Sequence, residues 1–349
     1  VKQFLEQYFR AITGKSPEKR QFYRQFQREV FSQSQQSEQS DVGSGNGEQD
    51  VHDASLHAAE IDEREEIEHR VRDMRDKNRV FLKLRDGVWP YPADDRRIEE
   101  YDKQRLKVLV KVLGLQNLSL LMAAACKLEQ TAFTEILYLS ETFFFRYKTI
   151  CGGSASLIGD LFGKYANKIM NDNFDMSAFK DELRTYLDKD ASDSVFREQL
   201  KLNLTYSQAS KFRIRFFLIY LEDHRKLFQT GLSRKQQKRD KSTIYPIERS
   251  NSVEHIYPQN PISSAVDPGI VNHPTRGDLT HCLGNLTFLG KDDNQDLGNK
   301  PYTEKRSAFA ASKVWLNQEI AEQEAWTAEA ILERENVLLD RALRVFKIV

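Results

Sequence analysis

Cysteine is scarce in this chain. Three of its 349 residues are Cys (Cys126, Cys151 and Cys282), far apart and with no C-x-x-C pair. That argues against a disulfide scaffold and a cysteine-rich zinc site, and it points to a reducing cytosol. No stretch approaches the ~20 apolar residues of a membrane span. No signal peptide opens the chain, so no membrane partner is expected. Net charge is lacking as well, because 52 Lys and Arg balance 52 Asp and Glu. No global basic field announces a nucleic-acid partner, and any such contact has to come from local patches. The first residue is Val rather than Met, directly before helical sequence. The expectation is a C-terminal or processed piece of a longer protein.

What is present is mostly helical pattern. Residues 1–31 place Phe4, Leu5, Tyr8, Phe9, Ile12, Phe22, Phe26 and Val30 at helical spacing. Gly14-Lys15-Ser16-Pro17 divides them into two helices, with Ser16 as a cap and Pro17 in the first helical position. Gly-Lys-Ser resembles part of a phosphate loop, but the upstream glycine and the preceding strand are missing. Residues 32–55 are Ser, Gln, Gly and Glu with almost nothing to bury, which predicts a flexible linker. Residues 56–231 predict an α-helical bundle, opening with a charged helix whose thin apolar stripe is Ile61, Ile67, Val71 and Met74. Phe143, Phe144 and Phe145 read as core. Arg146 and Lys148 beside them read equally well as phosphate contacts or helix caps.

Residues 232–349 carry the chemistry. They open with five positive charges in ten residues, Arg234, Lys235, Lys238, Arg239 and Lys241. This patch could contact phosphates, positioning DNA without reading sequence, or be a solvated linker. In Ser252-Val253-Glu254-His255-Ile256-Tyr257-Pro258, Val253 and Ile256 read as one short strand, and the run Leu286 to Leu289 as a second. A helix is expected from Tyr302 to Phe309. Histidine is the side chain suited to take a proton from water near neutral pH. A hard cation such as Mg²⁺ or Mn²⁺, held by oxygen ligands, suits charge on a phosphorane and its leaving oxygen. Adjacent residues on a regular strand face opposite ways, so Glu254 and His255 serve one site only if the strand bends or ends there. The Asn285 amide could orient His255, and Asn294 could offer its carbonyl to the ion. The long loop from Pro261 to Leu283 would rim the site, and it carries His273 and His281.

Glu-His-Ile-x-Pro, then Gly-Asn-Leu-x-x-Leu, then Asn294 and Asn299-Lys300, resembles the His-Me finger (HNH) nuclease pattern. More narrowly it is similar to the C-terminal nuclease domain of GmrSD-type, modification-dependent (type IV) restriction enzymes. Trp326, Ile331, Arg334, Leu338, Ala342 and Phe346 resemble that family's closing helix. Residues 97–169 resemble the helical end of the ParB-like nucleotide-binding domain that precedes the nuclease in such proteins. The family pattern often has Asp where this chain has Glu254.

The resemblance implies a mainly α fold: a helical bundle followed by a small ββα-metal unit packed with C-terminal helices. Residues 1–31 would then be the helical end of a missing N-terminal domain. His255 would be the general base, with Asn285 and Asn294 completing the catalytic set. Glu254 and Asn294 would hold one Mg²⁺ or Mn²⁺ ion, and Asn299 and Lys300 would join the basic patch as nucleic-acid contacts. A nucleotide (GTP, ATP or UTP) would belong only to the missing domain. The implied partner is double-stranded phage DNA in a bacterial cytoplasm, together with the upstream sensor; a homo-oligomer stays open. Both a GmrSD-like attack on modified cytosines and an SspE-like, phosphorothioate-linked defence fit. The rivals are a non-catalytic DNA-binding or assembly module with a degenerate nuclease fold, and an RNase using the same site.

Overall fold

A computed structural model describes residues 1–18, 20–31, 49–92, 100–206, 211–231, 252–262, 266–289 and 297–349, with the backbone alone for 49–63, 100, 101 and 252. Of the expected linker 32–55, residues 32–48 lie outside that description. Residues 49–55 already belong to a helix, α3, which runs Gln49–Arg85. The described residues are mainly helical, with one two-stranded sheet among them. Among the described residues, no helix is long and apolar enough to cross a membrane.

Two compact units divide the chain. The first is Val1–Glu141 with Ser154–Lys180, and the second is Thr142–Gly153 with Asp181–Val349. This division differs from the boundaries expected at 31, 55 and 231. Apolar spacing marks helices, whereas unit membership depends on which helix faces meet.

In the first unit, α1 (Lys2–Thr13) packs on α5 (Ser119–Lys127) and α7 (Ala155–Met170). Phe4, Tyr8, Phe9, Ala11, Phe22, Phe26 and Val30 are thus part of this unit's own core. Tyr8, Phe9, Phe22 and Phe26 form an aromatic cluster there, with ring centroids 5.7 to 6.3 Å apart. Gln7 reaches the start of α5, where its side-chain oxygen accepts hydrogen bonds from Leu118 N (2.9 Å) and Ser119 N (3.0 Å). Those two donors have no partner inside the helix. Gly14 ends α1 with φ 71°, in the left-handed region that favours glycine. The next helix begins at Phe22, not at Pro17.

The second unit collects a π-helical segment at Phe144–Ile150, α9 (Asp193–Asn203), α10 (Lys211–Asp223) and α11 (Arg225–Thr230). It also holds strands β1 (Ser252–His255) and β2 (Leu286–Leu289), and helices α13 (Tyr302–Ala311), α14 (Trp315–Ala321) and α15 (Ala328–Val345). The strands pair antiparallel in the register Ser252–Leu289, Val253–Phe288, Glu254–Thr287 and His255–Leu286. All four β2 residues are buried, so its near-continuous apolar run follows from being covered on both faces. Glu222 of α10 caps α14, its two oxygens accepting from Trp315 N (2.9 Å) and Leu316 N (3.0 Å). Burial pushes this carboxyl above its usual range, against the pull of those two N–H groups and Arg225.

Phe346 follows α15 and is fully buried. Its ring lies 4.5 Å from both Phe145 and Tyr220, and 5.9 Å from Phe196. Phe143, Phe144 and Phe145 are buried, as expected of core. Arg146 is 3% exposed and donates to Ala191 O (2.8 Å), Asp193 Oδ1 (2.7 Å) and Phe346 O (3.3 Å). Of its two readings, the structural one holds: the guanidinium ties helix ends together inside the core. Lys148 donates to Gly153 O at 2.8 Å, in the turn between the π-helical segment and α7. Phe346→Ala should lower stability by about 3–5 kcal/mol in urea unfolding, because the hole is walled by rigid rings that cannot collapse into it.

Candidate functional site

β1 ends at His255, where the chain turns through Ile256, Tyr257 and Pro258. The turn is anchored by Asn285, a fully buried residue of the 3₁₀ turn Leu283–Asn285 just before β2. Its side-chain oxygen accepts from Tyr257 N (2.8 Å) and from the indole Nε1 of Trp326 (2.9 Å). Its side-chain nitrogen donates to Tyr257 O (3.0 Å) and Thr280 O (2.8 Å). A primary amide has two donors and two lone pairs, so these four bonds use all of them. The Asn285 side chain therefore does not bond the His255 ring. It sets the backbone on which His255 stands, helped by its own carbonyl, which accepts from Ile256 N at 3.0 Å.

Gly284 is required beside it for a different reason. A Cβ there would lie 2.0 Å from Ile331 O and 3.0 Å from Glu335 Cβ, both on α15. Arg334, also on α15, donates from Nη1 to Gly284 O (2.8 Å) and Leu286 O (2.9 Å). The Gly-Asn-Leu run thus marks where α15 presses its backbone against the start of β2. Gly284→Ala should destabilise the protein by about 1–3 kcal/mol, as forced overpacking does, read as a lowered urea midpoint.

His255 is 6% exposed. Its Nε2 lies 3.2 Å from Nδ1 of His281, and the two rings meet nearly edge to face at 5.3 Å. Tyr206, three residues past α9, stands edge-on to His255 at 4.4 Å and nearly parallel to His281 at 5.9 Å. Lys211 Nζ sits 5.0 Å from the centre of the Tyr206 ring. Burial pushes the His255 imidazole down to about 4, and His281, Lys305 and Lys211 push the same way against Asp278. His255 is therefore a neutral imidazole at pH 7.

Glu254 is paired with a lysine. Its Oε1 accepts from Lys305 Nζ at 2.7 Å, and the same ammonium donates to His255 O at 2.8 Å. The Lys305 side chain is 0% exposed and that of Glu254 15%. Burial lowers the Lys305 pKa, and Glu254 opposes the shift. Tyr302, Lys305 and Phe309 are the buried residues of α13, so a lysine occupies the apolar stripe of that helix. The spacing i, i+3, i+7 was the signal for Lys305 in the sequence. Nothing comparable marked Tyr206, whose role depends on long-range packing.

A hard divalent ion is commonly held by one or two carboxylates, with water and substrate phosphates as its other ligands. Glu254 fits that sparse kind of site through the oxygen that Lys305 does not bond. Among the described residues, no group of three or more His, Cys, Asp or Glu could hold a metal. Asn294, the other expected ligand, lies outside the described residues, as do Arg234, Lys235, Lys238 and Arg239 of the basic patch. Asn299 and Lys300 are exposed in the turn leading into α13. The structure thus brings His255 and Asn285 together through the backbone, and it adds His281, Tyr206, Lys305 and Lys211.

The depressed imidazole has a consequence for stability. The ordinary value is 6.5 and the folded value about 4, so protons bind the unfolded chain more readily. The contribution is complete above about pH 6.5 and is lost as pH falls toward 4. Between about pH 7.5 and about pH 5, the wild type should lose about 2 kcal/mol more than His255→Gln in urea unfolding. Equal losses would mean that another group carries the acid sensitivity.

Residues 190–341 match the family model described as GmrSD restriction endonucleases, C-terminal domain. No curated protein matches the chain. The matched span covers under half of the 349 residues, but it holds β1, β2, Tyr206, His255, His281, Asn285 and Lys305. Over that span the chain is similar to the C-terminal domain of GmrSD restriction endonucleases, which suggests a restriction-endonuclease-related function.

Proposed function

We propose that this domain is a divalent-metal-dependent endonuclease of the His-Me finger (HNH) type, acting on double-stranded DNA, with His255 as general base. The observation that carries the proposal is the state of His255: buried, held at a strand end by a saturated hydrogen-bond hub, and unprotonated at neutral pH. An imidazole in that state has a lone pair available for a water proton without a preceding deprotonation. The strand–loop–strand–helix order of β1, β2 and α13 supports the ββα assignment, and the GmrSD match supports phosphodiester chemistry.

Lys305 holds the backbone carbonyl of His255 and the carboxylate of Glu254 at once, so it fixes the strand end between base and acid. An anionic phosphodiester beside His255 would counter the push of Lys305 and Lys211 on the ring and raise its proton affinity as substrate binds. The base would then be strongest when the substrate is present. Water hydrolysis would proceed with proton transfer to His255 as the water oxygen attacks phosphorus. Glu254, with Asn294, would hold an Mg²⁺ or Mn²⁺ ion, which when bound supplies charge neutralisation at the leaving oxygen. Exposed Lys211 over Tyr206 adds a phosphate contact at the site, beside the proposed contacts at Arg234, Lys235, Lys238, Arg239, Asn299 and Lys300. Invading phage DNA is the proposed substrate, licensed by modification state through an upstream sensor domain that would bind the nucleotide.

Supercoiled plasmid with Mg²⁺ or Mn²⁺ should become open-circular or linear DNA, and EDTA should stop the conversion. His255→Ala should slow cleavage by roughly 10²–10⁴-fold, as loss of a general base does. Activity that survives this substitution would remove His255 from the mechanism. Cutting of structured RNA in preference to plasmid would make the domain an RNase. Tight plasmid binding without cleavage by either protein would favour a DNA-binding module.

A further inference from the structure

A histidine can act as a base only through a ring nitrogen that carries no proton, and a neutral imidazole has one such nitrogen. At His255, Nε2 is engaged with His281 Nδ1 at 3.2 Å. Two lone pairs facing each other at that distance would repel, so one proton lies between the rings. If that proton belonged to His281, the Nε2 lone pair of His255 would be occupied, its Nδ1 would carry the hydrogen, and no basic nitrogen would be free. If it belongs to His255, Nε2 donates and the Nδ1 lone pair is available. Nδ1 bonds none of the described residues.

The position of His281 is built rather than incidental. The carbonyl just before it, Thr280 O, accepts from Asn285 Nδ2 at 2.8 Å. Its own carbonyl accepts from Tyr206 N at 3.0 Å. The Tyr206 ring lies nearly parallel to the His281 imidazole, with 13° between planes, and edge-on to His255 at 67°. The backbone on both sides of His281 and one face of its ring are thus held.

We propose that His281 is a positioning residue for the nuclease reaction. Its Nδ1 accepts the Nε2–H of His255, which selects the tautomer whose Nδ1 lone pair takes the proton from the attacking water. The inference rests on the reading of His255 as the base. In the step, an O–H bond of water breaks and the His255 Nδ1–H bond forms. The oxygen lone pair makes the new bond to phosphorus, and the leaving 3′ oxygen departs with the electron pair of the broken P–O bond. His255 is left with protons on both nitrogens, and its Nε2–H points at His281, whose lone pair stabilises the cation.

The test is long-range ¹H–¹⁵N correlation of the histidine side chains in the ¹⁵N-labelled full chain near neutral pH, alongside plasmid cleavage. The expected wild-type spectrum shows His255 protonated at Nε2 and bare at Nδ1. In His281→Phe the two tautomers should mix, and kcat should fall on the order of tenfold or more with KM little changed. In His281→Asn the amide oxygen can stand near the place of Nδ1 as acceptor, so the Nε2–H tautomer and most of kcat should return. A wild-type His255 protonated at Nδ1 would overturn the proposal whether or not the variants fold. Full kcat in a folded His281→Phe would overturn it too. Loss of activity in His255→Ala alongside full activity in His281→Phe would sink this inference alone. Activity retained in His255→Ala would instead sink the assignment of the base.

Discussion

The side-chain amide of Asn285 is the constraint on which the rest of the site depends. Its four hydrogen bonds join the chain after β1, the loop at Thr280, the turn into β2 and Trp326 just before α15. These segments are distant in sequence, and each presents a polar group in a dry interior. An unmade hydrogen bond there costs more than a typical made one contributes. The amide meets the requirement with its full complement of donors and acceptors, so the hairpin has one low-energy arrangement at that corner. The placement of His255 follows from that arrangement, since its neighbours Ile256 and Tyr257 are held by the Asn285 carbonyl and amide. His281 follows too, since Thr280 before it is held by the same group.

Much of this hairpin was legible in the sequence, and for identifiable reasons. Val253, Ile256 and the run Leu286 to Leu289 mark two strands by residue type; β2 forms over that run, whereas β1 ends at His255 and leaves Ile256 in the turn. Gly284-Asn285 was legible as a special pair, but its meaning was not. Gly284 answers to the backbone of α15 at Ile331, some fifty residues on, and Asn285 to Trp326. Local pattern reports turn chemistry, whereas these two residues are set by a helix that arrives late in the chain. The same holds for the His255–His281 pairing, which depends on how the intervening loop closes. The helical character of residues 56–231 was legible from spacing, as their described part shows. The grouping of helices into units was not, because it depends on which helix faces meet rather than on the spacing within any one helix.

Arg146 shows why a charged residue next to an aromatic run is a poor guide to phosphate binding. Its guanidinium lies inside the core, donating to two backbone carbonyls and one carboxylate and lying 4.9 Å from the Phe196 ring. Five donors in a fixed fork suit arginine to tying helix ends together as well as to meeting an anion. Lys305 is the opposite case. Sequence marks it only as a polar interruption of an apolar stripe, yet it bonds both the Glu254 carboxylate and the His255 backbone.

That placement ties stability to the proposed chemistry. A lysine with no exposed surface beside a nearly buried carboxylate is held by the pair, since removing either partner would leave a charge without compensation in a dry environment. The same ammonium, with Lys211 and the burial of the ring, keeps His255 neutral. An isolated neutral imidazole of low proton affinity is a weak base, so the resting site is available but poorly driven. A phosphodiester would add negative charge beside the ring to that of Asp278, and its field would act on His255 in the direction opposite to that of Lys305 and Lys211. On the proposed reading, the electrostatics that make His255 costly to protonate also make the base respond to substrate. The proton would then be taken up where a phosphate is present to be cut.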